Sequence, residues 1–333
     1  MQKIKWALLI VGVLLVFYLL GPHPAKPEYN PTLPVVPAAA LLDAFVSQQE
    51  QQHHLKPNNE ARILWANDSI HQPTAYSIVY LHGFSASQEE GNPVHRNIAH
   101  RYGCNLFLSR LAEHGIDTTE QLVNLTADKY WESAKNALAI GKQLGNKVIL
   151  MGTSTGATQA IQLAAAYPNE VAAIVLYSPN IAINDPNAWL LNNPWGLQIA
   201  RLVKGGKYHD PADERPIYKA YWNKPYRLEA VVNLQEMLET SMNKSNFEKV
   251  HQPTLLLYYY KDEVHQDPVV KVSAMKEMFH QLSTPSSLKR AVPLPNTGDH
   301  VMASPIKSKD VASVESTTRS FMEQILKIRP VQP

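Results

Sequence analysis

The sequence predicts an α/β protein: a mostly parallel central sheet covered on both faces by helices. Two observations lead there. Short apolar runs of strand length alternate with segments of helical spacing. That rhythm builds parallel sheets, because each connection between parallel strands must cross one face of the sheet. The second observation is a junction. The run Lys147-Val148-Ile149-Leu150-Met151 ends in Gly152-Thr153-Ser154-Thr155-Gly156 and passes directly into a small-residue helical segment, 157–166. A strand that stops in a sharp turn and delivers a serine at its tip crowds strand against helix. Residues without a Cβ fit two positions either side of that serine.

The elements follow in order. Two lysines precede an uninterrupted apolar stretch at 6–20, a pattern that places the N-terminus in the cytosol and the rest of the chain beyond the membrane. Residues 1–20 are predicted to be an N-terminal membrane anchor or signal. No Ala-x-Ala site follows closely, so an uncleaved anchor with an extracytoplasmic body is the expectation, with a secreted or periplasmic form after cleavage as the alternative. Residues 21–40 are proline-rich and predict an extended spacer that holds the body off the membrane. An amphipathic helix begins near Leu41. Strands are expected at 62–65, 76–81, 104–108, 148–151, 171–177 and 254–259, with a weak one at 288–292. Helices are expected at 127–144, 157–166, 270–282 and 311–328.

The strand–helix rhythm breaks at 183–250. That stretch has no clear strand and is rich in Trp and Tyr, so it predicts an inserted, mainly helical cap between a first core part, 41–182, and a second, 251–333. Its aromatic side chains either line an acyl pocket or form the cap's own small core. An apolar fraction of 45% with 18% charged residues allows a sizeable core, and a net charge of +2 spread along the chain gives no sign of a nucleic-acid partner. The single cysteine, Cys104, lies in an apolar run and reads as an inert core thiol.

Ester cleavage by a serine requires a base for its proton, a carboxylate that orients the base, and donors for the oxyanion. Residues of those types follow Ser154 in the order acid, then histidine. Asp262 stands just past the apolar strand ending near Tyr260, at the sheet edge, and is the preferred acid. Asp267 competes, but it precedes Pro268 and the next helix, where an N-cap role is natural. Glu263 is a third candidate. His300 sits in Thr297-Gly298-Asp299-His300, a loop between the last strand and the last helix, which selects it among 13 histidines. Asp299 beside it is expected to be solvated. His82-Gly83-Phe84 follows an early strand, and the N–H of Phe84 with that of Thr155 could hold the oxyanion. His82 reads as a residue that fixes its loop.

These pieces together resemble the α/β-hydrolase superfamily, and within it the carboxylesterase and monoacylglycerol-lipase-like branch: Leu81-His82-Gly83-Phe84-Ser85, Gly152-Thr153-Ser154-Thr155-Gly156, the strand-end Asp262, and Gly298-Asp299-His300. Arg110-Leu111-Ala112-Glu113-His114-Gly115 is similar to that branch's Arg-Leu-x-Gly-His-Gly segment, with Glu113 in place of a glycine. The resemblance implies a serine hydrolase acting on small-molecule carboxylic esters through Ser154, His300 and Asp262, without metal or organic cofactor. Amidase, peptidase or acyltransferase activity uses the same triad, and an inactive hydrolase-fold binding protein is the rival of another class.

Overall fold

The computed structural model describes residues 2–331. The first half of the chain holds α1 (Gln2–Leu19), α2 (Leu42–Glu50), β1 (Arg62–Leu64), β2 (Ser77–Leu81), α3 (Val94–Tyr102), β3 (Asn105–Leu108), α4 (Ala127–Leu144), β4 (Val148–Thr153), α5 (Thr155–Ala166) and β5 (Val171–Tyr177). Between β5 and the next sheet strand lie α6 (Gly196–Lys204), β6 (Tyr208–His209), α7 (Pro216–Tyr221), β7 (Tyr226–Arg227), α8 (Leu228–Ser241) and α9 (Lys244–Phe247). The chain closes with β8 (Thr254–Tyr258), α10 (Val272–Gln281), β9 (Lys289–Pro293) and α11 (Val311–Gln324).

The sheet has seven strands in the order β1-β3-β2-β4-β5-β8-β9. Only the edge pair β1–β3 is antiparallel; the other neighbours run parallel. This is the fold class the sequence predicts, and period-two alternation decides which helices cover which face. On β2, Val79 and Leu81 point into the cluster built with α4 and α5, while Ile78 and Tyr80 point into the cluster built with α3 and α11. The central strands β2 and β4 are buried along their whole length, which explains why they read as unbroken apolar runs. Cys104 is buried among the second cluster, and desolvation pushes its thiol up to about 12.

Helix α3 is absent from the sequence reading. Its buried side chains are Val94, His95, Ile98, Ala99 and Tyr102, so polar His95 takes a place in the apolar face and blurs the helical period. The region after β5 is mainly helical, as expected, but it also holds the two-residue pair β6–β7, too short to leave a periodic signal. Within the proline-rich segment, residues 21–38 have no regular secondary structure, yet they are not a free spacer. They run along the body as a strap: Trp131 Nε1–H donates to Asn30 O at 2.9 Å, Lys135 Nζ donates to Thr32 O at 2.8 Å, and Tyr29 Oη meets Thr240 Oγ1 at 2.7 Å. Tyr29, Leu33 and Val36 pack on the first cluster, which fixes a segment whose composition alone suggests free extension.

All of α1 is exposed, with a mean hydropathy of 1.7, long and apolar enough to cross a membrane. Its C-terminal end meets the region after β5. The Trp195 indole stacks on Phe17 with ring centroids 4.9 Å apart, and Trp195 N–H donates to Pro22 O at 2.9 Å.

Candidate active site

Close approach of backbones builds the turn around Ser154. A Cβ on Gly156 would lie 1.9 Å from Leu81 O, and one on Gly152 2.6 Å from Ala157 N. Those contacts are to main chain and cannot move aside, so both positions require glycine. Ser154 itself sits at φ 53°, ψ −120°, a strained conformation for a residue with a side chain. Ser154 N–H donates to Tyr177 O at 2.8 Å, and Ser154 O accepts from Asn180 N–H at 3.1 Å. Anchored between β5 and the start of α5, the serine is held at the edge of the sheet.

The loop after β2 is fastened by two histidines. His82 Nδ1–H donates to Gly83 O at 2.9 Å, and His82 Nε2 accepts from Leu111 N–H at 3.0 Å. His114 Nε2 accepts from Ser85 N–H at 3.0 Å, while its Nδ1–H donates to Ala112 O at 2.8 Å. Burial pushes His82 down to about 4 and holds His114 well below the usual range, so both imidazoles are neutral and each can accept at Nε2. His82 therefore fixes the loop, as its sequence context suggests. The sequence placed His114 in the segment resembling Arg-Leu-x-Gly-His-Gly but gave it no role. The turn Arg110–Gly115 is in turn secured by Arg110, whose guanidinium pairs with Glu50 at 2.7 and 3.0 Å in a largely buried position. Glu113, where the resembling segment has glycine, adopts φ 66° and so reproduces the left-handed conformation that a glycine would take without strain. Its carboxylate lies 3.0 Å from Lys129 Nζ.

His300 is buried in the loop after β9, and its Nδ1–H donates to Asp267 Oδ2 at 2.7 Å. The acid beside His300 is thus Asp267 and not Asp262, which corrects the sequence expectation. Asp262 is half exposed and its carboxylate is taken up locally, by Val264 N–H, His265 N–H and the His265 ring. Glu263 is likewise exposed and bonded to Tyr260 Oη. The reason lies in the loop path. Asp267 N–H donates to Tyr259 O at 3.1 Å, and Tyr260 bridges to Gln266, so the intervening residues form a small excursion that returns the chain to the strand end. Position 267, not 262, arrives at the sheet edge. The cap-like role expected of Asp267 is also present: its Oδ1 accepts from Val269 and Val270 N–H, which leaves Oδ2 for the histidine. A carboxylate has two oxygens, and the two roles do not compete.

Burial opposes the charge of Asp267, but His300 and the two backbone donors outweigh it and hold the carboxyl below the usual carboxylate range. Desolvation likewise works against a charged His300, and the Asp267 carboxylate overcomes it, holding the imidazole above its ordinary value. Asp299 is partly exposed and accepts from Val301 N–H at 3.0 Å. Ser154, His300 and Phe84 border one cavity of about 660 Å³. Its lining includes the apolar side chains of Leu190, Leu191, Ile199, Val203, Val231 and Leu234. The Phe84 ring packs edge-on against Tyr226 of β7, with centroids 5.1 Å apart, and so ties the loop after β2 to β7. Among the described residues, neither Phe84 N–H nor Thr155 N–H donates to a protein acceptor. No cluster of metal-ligating side chains is found among the described residues.

A family profile described as serine aminopeptidase, S33 (Hydrolase_4) matches residues 126–291, from α4 to β9. Among curated proteins none matches in sequence. Solved structures match in fold. A metagenome-derived lipolytic enzyme, described with LipS and LipT, superposes with a TM-score of 0.64 at 15% identity, covering 81% of this chain and 99% of its own. The monoacylglycerol lipase of Paleococcus ferrophilus gives 0.57 at 13% identity, covering 79% and 97%. Est1E of Butyrivibrio proteoclasticus, solved with ferulic acid bound, gives 0.53 at 15% identity, covering 80% and 95%. At such identities the likeness is one of fold. With its sheet order, its Gly-x-Ser-x-Gly turn and these structural likenesses, the chain has the α/β-hydrolase fold, and its residues 126–291 are similar to the serine aminopeptidase, S33 profile.

Proposed function

We propose that the chain is a serine hydrolase that cleaves carboxylic esters with an apolar acyl group through an acyl-enzyme. The observation that carries this reading is the buried Asp267–His300 pair bordering the same cavity as a strained, turn-borne Ser154. With Nδ1–H committed to Asp267, the Nε2 lone pair of His300 is left to act as base. Ser154 Oγ attacks the ester carbonyl carbon and its proton passes to His300 Nε2. The negative oxygen is held by the Phe84 and Thr155 amides. Collapse breaks the C–O bond and the alcohol departs with the proton from His300. Water then repeats the sequence on the acyl-enzyme and releases the acid.

The apolar side chains in the cavity lining support an aliphatic or aromatic acyl group. A second reading, cleavage of an amide or peptide, is favoured by the name of the matching profile. One experiment separates them. The full-length chain in mild detergent is assayed on p-nitrophenyl esters from acetate to palmitate, beside aminoacyl and acyl anilides. Turnover of esters with an optimum beyond acetate is the expected result. Hydrolysis confined to anilides would establish the second reading. No turnover of either, with Ser154 still labelled by a fluorophosphonate, would direct attention to acyl transfer.

We read α1 as an uncleaved signal anchor that places the catalytic body on the extracytoplasmic side. Its exposed apolar surface and the lysines at its start support this. The full-length protein is expected to stay with membranes after alkaline carbonate extraction. A soluble form shortened at its N-terminus would show instead that the segment is a cleaved signal.

A further inference from the structure

The cavity wall next to Ser154 holds an acidic side chain that the acyl-transfer scheme leaves unused. Glu90, in the short turn Gln88–Gly91, is 2% exposed and borders the cavity with Ser154 and His300. Its Oε2 accepts from Gly83 N–H at 2.6 Å, while Oε1 has no hydrogen-bond partner among the described residues. Both carboxyl oxygens lie 2.9 Å, and Ser154 Cβ 3.0 Å, from the point that a Cβ on Gly83 would occupy. The carboxyl and the nucleophile therefore flank the same backbone atom, Gly83 Cα, one residue before the amide assigned to the oxyanion.

An ionised carboxylate there works against the reaction. Attack on an ester places negative charge at the Phe84 and Thr155 amides, and a second negative charge close by in a desolvated site raises the energy of that intermediate. A neutral carboxyl has the opposite character: its carbonyl keeps the Gly83 N–H and its O–H adds a donor. Burial pushes the Glu90 carboxyl up to about 7; the Gly83 N–H and His300 pull it down, and Asp299 adds to the rise. Tyr80 from β2, Tyr130 from α4 and Tyr218 from α7 also face it, all held neutral by burial, so they add no charge of their own.

We propose that Glu90 is a positioning residue that holds the Gly83–Phe84 loop in its protonated form, and that its ionisation turns the reaction off on the alkaline side. The proposal rests on the serine-hydrolase reading and deepens it. A hydrolase whose rate follows His300 alone gains activity as pH rises through the histidine's value and then stays level. Here a second, descending limb follows, because the productive enzyme carries a neutral imidazole and a neutral Glu90 together.

The test uses the full-length chain in detergent, with the rate of Ser154 labelling by a fluorophosphonate and kcat/KM on a short-chain ester measured from about pH 5 to 10. Wild type is expected to fall about tenfold per pH unit beyond its optimum. Glu90→Gln keeps a carbonyl for Gly83 N–H and an N–H donor but cannot ionise, so its descending limb disappears. Glu90→Ala leaves Gly83 N–H without its acceptor and lowers the plateau by about tenfold or more, with the descending limb likewise gone. A wild-type profile that stays level to the alkaline end overturns the proposal. So does a descending limb in Glu90→Gln matching that of wild type. If Glu90→Gln does not fold, Glu90→Ala decides: a retained descending limb overturns the proposal and a lost one supports it. Failure of wild type to label or turn over at any pH strikes the serine-hydrolase reading itself and is thereby told apart.

Discussion

Replacing Ser154 with alanine is expected to lower ester turnover by roughly a millionfold and to abolish fluorophosphonate labelling. The size of the effect follows from the geometry. The turn is held by Gly152 and Gly156 contacts and by hydrogen bonds to Ser154's own main chain, none of which involves the hydroxyl. Alanine at position 154 keeps the same backbone, so the cavity, the Asp267–His300 pair and the free amides of Phe84 and Thr155 persist, and the loss reports the nucleophile alone. Circular dichroism and a thermal melt of the variant provide the control, and both should match wild type. Labelling that persists in Ser154→Ala would identify another nucleophile and end the reading built on this turn.

The second large effect separates two aspartates five positions apart. Asp267→Asn is expected to reduce turnover by about 10⁴-fold, because an amide in place of the carboxylate no longer holds the proton on His300 Nδ1 and no longer stabilises the imidazolium that forms during transfer. The backbone bonds from Val269 and Val270 can still be accepted by an asparagine oxygen, which limits damage to the fold. Asp262→Asn should leave turnover within about twofold of wild type, since the side chain is exposed and holds only its own turn. Equal losses in both variants, or a larger loss at Asp262, would mean that the loop rearranges when substrate binds. Steady-state kinetics on the preferred ester, with melts for both variants, settle the ranking.

The two aspartates show where sequence reasoning succeeds and where it stops. Ser154 and His300 could be picked out because each sits in a locally defined place: a glycine-bounded turn after a strand, and a glycine-containing loop after the last one. The acid could be narrowed to 262, 263 or 267 by the same reasoning. Choosing among them required the path of the chain between Tyr259 and Asp267, and that path is set by a non-local closure, Asp267 N–H to Tyr259 O, across residues of no distinctive pattern. Ranking Asp267 below Asp262 because of an N-cap-like role also failed, because it assigned a two-oxygen group a single partner.

Other differences have similar causes. Helix α3 buries His95 among apolar side chains, so its period was masked. The proline-rich segment has the composition of a free spacer, but Trp131, Lys135 and Thr240 on other elements supply partners for it that no local pattern discloses. Glu90 is a single polar residue in an unremarkable segment, and His114 lies in a segment whose resemblance to a motif does not say what its ring touches. They acquire meaning only because the first comes to lie against Gly83 and the second against Ser85.

By itself the sequence determined the α/β class, the position of most strands and helices, the glycine-bounded turn that carries Ser154, the loop that carries His300, and the apolar N-terminal helix. These are local properties: periodicity, run length, and the absence of a Cβ where two backbones must meet. The tertiary structure decided which acid faces His300, how the loop after β2 is bolted in place, what the proline-rich strap rests on, and that a buried carboxyl shares the cavity with Ser154. Each of those depends on contacts between residues distant in sequence or on the route of a loop. Burial and hydrogen-bond partners exist only once the sheet has brought such residues together.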